Sequence, residues 1–358
     1  MSTSGVNEDL RSGLRAILAA RGQAGPWTWR AVAADARHEI WRLRAGAASL
    51  IVKVYRPGAD RYYHHRWRRE ERALDLLSRQ APGLAPEPHG ALLAPDAFAA
   101  LAMEDLGSES LAQVLERADS DERASLLARA VEALAAFRDV ASRHQGMLRA
   151  LAYQSDLDRI TRDTLRRRLA IAAVRLRDPL TAPEPDAAPR ALAPELPWRD
   201  LEAGIVRPLI HAPRRVVHNG FSPLNLMPRP DGRLAVIEWE TLAAAAPALD
   251  AADLLTFPSF GLSANAIEDE AARLADASDA AGPIQVFWAA AAERSLTYAA
   301  TAAVRERRAQ AASQSDRAST YAARRRWYLG IFDDALERLH LDDAARRRIR
   351  DALAGLHG

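Results

Sequence analysis

The stretch His218-Asn219-Gly220-Phe221-Ser222-Pro223-Leu224-Asn225-Leu226 holds more candidate chemistry than any other part of the chain. Val236-Ile237-Glu238-Trp239-Glu240 follows, with nine residues between the two. Short apolar runs flank the polar loop. Arg215 to His218 and Arg233 to Trp239 read as two strands joined through a turn at Asp231-Gly232. Glu238 and Glu240, two apart, then share one strand face by the period of two. On that reading one of them is engaged and the other faces solvent.

The N-terminal side is rich in strands. A helix is expected over Glu8 to Arg21, with Leu10, Leu14, Ile17 and Leu18 at helical spacing. Strands follow at Trp27 to Ala33, Glu39 to Arg44 and Ser49 to Tyr55, the last closed by Pro57-Gly58. A long helix, Tyr62 to Arg79, ends before the Pro82-Gly83 and Pro86-Glu87-Pro88 punctuation. Short strands around Pro95-Asp96 lead through Met103 into Glu104-Asp105-Leu106-Gly107. Beyond this point the pattern turns helical. Asp119 or Ser120 caps a helix running to about His144, and Asn265 to Leu356 reads as helices. Between Pro179 and Pro197 six prolines mark a loop or extended crossing. The outline has two lobes: an N-lobe over 1–106, a C-lobe over 107–358 with the hairpin at 215–240, and a hinge near 103–107. No internal repeat is evident.

Composition narrows the chemistry. The 358 residues contain no cysteine, which excludes disulfide frameworks, thiolate metal sites and cysteine nucleophiles. No apolar run approaches the roughly 18 residues of a membrane span. The first ten residues carry Glu8 and Asp9 and no apolar core, so a secretory leader is not expected and the cytoplasm is the expected compartment. The isoelectric point of about 9.1 goes with a formal charge of only +2, and arginines alternate with acids along most of the chain. Nucleic-acid binding calls for a concentrated basic stripe, so the arginine clusters at 324–326 and 346–348 read as solvated helix faces. Of 49 basic residues, Lys53 is the single lysine. That suggests a position where a compact ammonium is needed and a guanidinium fork will not serve.

Taken in order, these pieces resemble the aminoglycoside phosphotransferase and choline-kinase-like family, relatives of the protein kinases. That family reads His-Gly-Asp, then four residues and Asn, then Ile-Asp-Trp-Glu about a dozen residues on. The resemblance takes in the Lys53 strand, the helix with Glu70, the hinge Met103-Glu104-Asp105-Leu106, and Pro247 to Asp250. It implies an α+β, two-lobed kinase-like fold with a small antiparallel-sheet N-lobe and a larger helical C-lobe. It also implies ATP and Mg²⁺ as cofactors. Lys53 would hold phosphates, oriented by Glu70 or Glu71. Met103 and Glu104 would border the nucleotide, and Asn225 and Glu238 would hold the metal. Asn225 as a loop brace is the alternative, as is a solvated helix face for Glu70 and Glu71. His218 reads as structural, and Asp250 as a brace of the loop.

The pattern also breaks. Gly220 stands where the family has its catalytic Asp, and Asn219 occupies what is often glycine. Glu238 is one methylene longer than the usual Asp. The turn Asp35-Ala36-Arg37-His38 has no glycine to approach phosphates closely. A positioned base is worth roughly 10²–10⁴-fold. The expectation is therefore a nucleotide-binding, catalytically impaired protein that acts through binding or by supporting a partner enzyme. The alternative is an active O-phosphotransferase with a variant site, acting on a hydroxyl of a small molecule or of a natural-product precursor peptide. The arginines of 300–350 do not supply the acidic surface that a cationic antibiotic would need.

Overall fold

Strand β3 carries the lone lysine and lies at the middle of the N-terminal sheet. The structure, a computed structural model, describes residues 8–20, 26–34, 38–56, 63–94, 97–152, 160–181, 188–276 and 284–354. The glycine-free turn at 35–37, Pro57-Gly58, Pro95-Asp96 and part of the proline-rich crossing lie outside the described residues. Five strands, β1 (Thr28–Ala34), β2 (His38–Ala45), β3 (Ala48–Tyr55), β4 (Pro88–Ala94) and β5 (Phe98–Glu104), form one antiparallel sheet in the order β1-β2-β3-β5-β4.

Alternation along β3 explains the layering. Leu50, Val52 and Val54 point to one face and pack with Leu10, Leu14 and Leu18 of helix α1 (Glu8–Ala20). Ile51, Lys53 and Tyr55 point to the other, where Tyr55 joins the main core. Helix α1 lies so close to β4 that a side chain at Gly90 would collide with Ile17, so glycine there is a packing requirement. Helix α2 (Tyr63–Gln80) covers the second face. Its stripe Tyr63, Trp67, Glu70, Leu74 and Leu77 is buried at helical spacing, and this puts Glu70 rather than Glu71 toward the sheet.

The remainder is mainly helical, with the long helices Ile284–Ala311 and Ser315–Arg338 packed side by side. Asp119, and not Ser120, caps the Ser120–Arg143 helix by accepting from the Glu122 amide at 2.9 Å. The expected hairpin pairs differently. Across the Asp231-Gly232 turn, β7 (Leu226–Pro228) faces β8 (Leu234–Val236), while β6 (Arg215–Val217) pairs with β9 (Ala243–Ala245). The turn closes locally, Gly232 donating to Arg229, so the nearest flanking residues pair first. The all-alanine β9 carries no β-branched signal by which it could have been read. Among the described residues no helix is long and apolar enough to cross a membrane.

Candidate functional site

Lys53 projects from β3 into the space beneath the sheet and is buried. Its ammonium pairs with three carboxylates: Glu240 at 2.5 Å, and Glu70 and Glu238 at 3.1 Å each. Glu70 arrives from α2. The two others arrive from the segment after β8, and not from a strand face. Strand β8 ends at Val236, Glu238 adopts a left-handed conformation (φ 67), and residues 239–241 form a tight helical turn. Neither carboxylate is therefore given over to solvent, and the expectation from period two is corrected. The kink aims both side chains at Lys53.

One cation facing three carboxylates sets the electrostatics. Burial alone would pull the Lys53 ammonium down, but Glu238, Glu240 and Glu70 together push it well above its ordinary value. Burial also raises Glu70, to about 7, with the like charges of Glu240 and Glu238 adding to it against Lys53. Glu240 goes the other way, to about 2, because Lys53 and His38 outweigh its burial. Tyr55 fits this split. Its hydroxyl donates to Glu240 at 2.7 Å and lies hydrogen-bonded against Glu70, and a single O–H proton cannot serve both as donor.

The polar loop after β6 is held from below. The amides of His218 and Asn219 donate to the two carboxylate oxygens of Asp250 at 2.8 Å each. His218 is buried, its Nε2 lies 2.9 Å from the Ile237 carbonyl, and burial lowers its pKa to about 4, so the ring is neutral near pH 7. Asn219 sits at φ 63, a conformation tolerated by Asn and Gly, and its Oδ1 accepts from Arg294 at 2.7 Å. Arg294 in turn pairs with Asp253 at 3.0 Å. The Asn225 amide donates to the Gly220 carbonyl at 2.9 Å, so Oδ1 is the atom by which it could hold a metal. Gly220 itself presents no functional group.

The cleft between sheet and loop is lined by Val32, Lys53, Met103, Glu104, Met227 and Glu238, among others. Glu104 ends β5. Arg229 grips it bidentately, both bonds 2.7 Å, and also donates to the carbonyls of Gly83 and Ala85. Asp105 is held likewise by Arg42 at 2.7 Å and by Ser49. Arg69 on α2, fully buried, donates to the carbonyls of Glu240 and Leu151 and ties the helix to the loop segment. The sequence pattern singled out none of Tyr55, His38, Arg69, Arg229 and Arg42. Only the buried stripe of α2 could have signalled Arg69.

Residues 28–283 match the model of the phosphotransferase enzyme family, APH. The chain belongs to that family. Among solved structures this phosphotransferase-family chain is similar to APH(2'')-IIa in its gentamicin complex, at 12% identity and TM-score 0.54 over 92% of this chain and 99% of that one. It is similar also to ADP-bound aminoglycoside phosphotransferase APH(2'')-Ib, at 13% and 0.50 over 98% and 99%. The choline kinase LicA from Streptococcus pneumoniae is comparable, at 12% and 0.50 over 97% and 99%. At such identities the likeness is one of fold, the two-lobed kinase-like fold. No curated protein matches.

Within that family frame the donor set suits Mg²⁺. Glu238 and Asn225 lie on segments joined by the Ile237 amide donating to the Asn225 carbonyl at 2.9 Å, and both offer hard oxygen atoms. The surplus of carboxylate over ammonium around Lys53 favours a further cation. Among the described residues no three His, Asp or Glu side chains converge as a ready-made metal cage. Two protein oxygens with phosphates and water filling the other positions is the arrangement Mg²⁺ usually takes.

Proposed function

We propose that this chain binds ATP with Mg²⁺ in the cleft beneath the hinge and transfers phosphate to ordinary hydroxyls poorly. The observation that carries the reading is the pairing of an intact Lys53–Glu70 ion pair with a glycine at 220. Lys53 holds the phosphates, with Glu70 and Glu240 fixing its position. Met103 and the clamped hinge border the nucleotide. Glu238 and Asn225 hold the metal, which when bound neutralises charge on the phosphates. No group stands ready at 220 to take a proton from an attacking hydroxyl, and the neighbouring Asn219 is neutral and committed to Arg294. The cytoplasm, where ATP is available, is the compartment this reading implies.

The position is sterically open to repair. A Cβ at Gly220 would meet the Asn225 amide at 3.5 Å and His218 at 3.7 Å, both ordinary contacts. ATP affinity by titration calorimetry and ADP release with a simple alcohol, each measured in the native protein and in Gly220→Asp, test the proposal. Unchanged affinity with ADP release raised 10²-fold or more supports it. Fast turnover of alcohols by the native protein, or no ATP binding by either, defeats it.

A further inference from the structure

Beside the loop lies a second, smaller pocket of about 60 Å³, lined by Ser222 and Leu224 from the loop and by Tyr298, Arg305, Tyr321 and Arg324 from the two long helices. Ser222 is two residues past Gly220, so the pocket shares the loop along which, on the reading above, an acceptor would meet the transferred phosphate. No Asp or Glu is among its lining residues. Arg305 is exposed, lies 6.0 Å over the Tyr321 ring, and has no carboxylate within ion-pair reach among the described residues. Arg324 touches Glu116 through one nitrogen at 3.2 Å, which leaves other donors of its fork free. Two guanidinium groups with aromatic walls match a carboxylate or phosphate group, and not an ammonium. The volume is well below that of pockets which enclose whole drug-sized ligands, so it seats an anionic head only.

Gly220 and this pocket explain each other. We infer that the acceptor is an anion, a carboxylate or a phosphate monoester, whose own ionised oxygen is the nucleophile; the inference rests on the ATP-binding reading above. The carboxylate oxygen forms a bond to the γ-phosphorus, the bond from that phosphorus to the β,γ-bridging oxygen breaks, and its electron pair leaves with ADP. An acyl phosphate results. A phosphate monoester gives a phosphoanhydride by the same exchange. No proton moves in either case, so no base is required. An Asp at 220 would place a like charge beside the incoming anion and oppose it. Arg305 is a specificity residue, positioned to hold the head group.

The test separates the two readings. ATP·Mg²⁺ binding is measured first by calorimetry, and its absence removes the nucleotide reading together with this one. Benzoate and phenyl phosphate are then compared with benzyl alcohol and a cationic aminoglycoside for ADP release. Hydroxylamine trapping identifies an acyl phosphate and phosphorus NMR a phosphoanhydride, which distinguishes the two anion sources. At least one anion should exceed benzyl alcohol ten-fold or more. Arg305→Gln should raise the KM of that anion roughly ten- to a hundred-fold with ATP affinity unchanged. Gly220→Asp should slow the anion while it speeds benzyl alcohol. ATP binding with no transfer to either anion, faster transfer to the alcohol or aminoglycoside, or an Arg305→Gln protein with unaltered KM would overturn the inference.

Discussion

Lys53 and Glu240 meet as an ion pair at 2.5 Å with both side chains buried, one from the centre of the N-terminal sheet and the other from the turn that follows β8. The pair therefore joins the sheet to the loop segment and fixes the Lys53 ammonium in place. With Glu70 and Glu238 it leaves the cluster short of positive charge.

Removing the cation leaves three carboxylates facing one another without compensation. Lys53→Ala is expected to lower folding stability by about 3–5 kcal/mol, the usual effect of breaking a buried pair from one side. Glu240→Gln leaves Lys53 with Glu70 and Glu238 and should cost less. In the double variant the two losses should be less than additive, because they share one interaction. Urea unfolding of the four proteins measures this. Additive losses would show that the pair is not coupled.

Stability should depend on pH through Glu70 with an unusual sign. Its pKa is about 7 in the folded chain against 4.5 for the free group. Between those values the folded protein retains a proton that the unfolded chain has released, so stability falls as pH rises. The contribution, at most ~3 kcal/mol, is complete below pH 4.5 and gone above about 7. Asp250, raised to about 6 chiefly by burial, acts in the same sense over its own window. His218, lowered to about 4, acts oppositely: its contribution is present above 6.5 and lost as pH falls toward 4. Comparison with Glu70→Gln isolates the first. Native stability relative to that variant should decline from pH 5 to pH 8, and a flat difference would place the proton elsewhere.

The loop's shape depends on two braces that differ in kind. Asp250→Ala would leave the buried amide of His218 and the half-buried amide of Asn219 without acceptors, at roughly 2–4 kcal/mol for the two. Asn219→Ala loses the Arg294 contact and puts an alanine at positive φ, about 1–2 kcal/mol. Asn219→Gly loses the contact alone and should be the milder change. Thermal unfolding gives the order Asp250→Ala worst, Asn219→Gly mildest. An Asn219→Gly protein as weak as Asn219→Ala would assign the effect to Arg294 and not to the backbone.

The legible parts of this molecule are those written in local periodicity. The alternation of β3 and the stripe of α2 are enough to put Lys53 and Glu70 on facing surfaces, and their 3.1 Å contact follows from that. Glu238 and Glu240 depart from the period of two because a left-handed residue interrupts the strand, and Glu carries no local signal for that conformation. Pairing of β6 with an alanine segment is invisible for a similar reason: alanine encodes burial only through its neighbours. The arginines that hold Asp105 and Glu104, Arg42 and Arg229, act on residues 63 and 125 positions away, a range at which sequence pattern says nothing.

The metal-ligand role proposed for Glu238 is separable from its contact with Lys53. If it holds Mg²⁺, ATP should bind more tightly with Mg²⁺ than with a chelator present, because the metal would offset the negative charge that phosphates bring beside the Glu238 carboxylate. Glu238→Gln keeps the size of the side chain and its amide oxygen but removes the charge, so affinity with Mg²⁺ should fall about ten-fold, toward the value in chelator. Affinity in chelator should hold or improve, since a negative group beside the phosphates is gone. Glu238→Asp retains charge and suits the left-handed backbone better, yet draws the carboxylate back by about a bond length. It should therefore keep the Mg²⁺ effect while loosening the 3.1 Å contact to Lys53. Calorimetric titration of ATP into the three proteins, with and without chelator, measures both effects together. A Mg²⁺ effect undiminished in Glu238→Gln would take the metal away from Glu238 and leave it only the ion pair with Lys53.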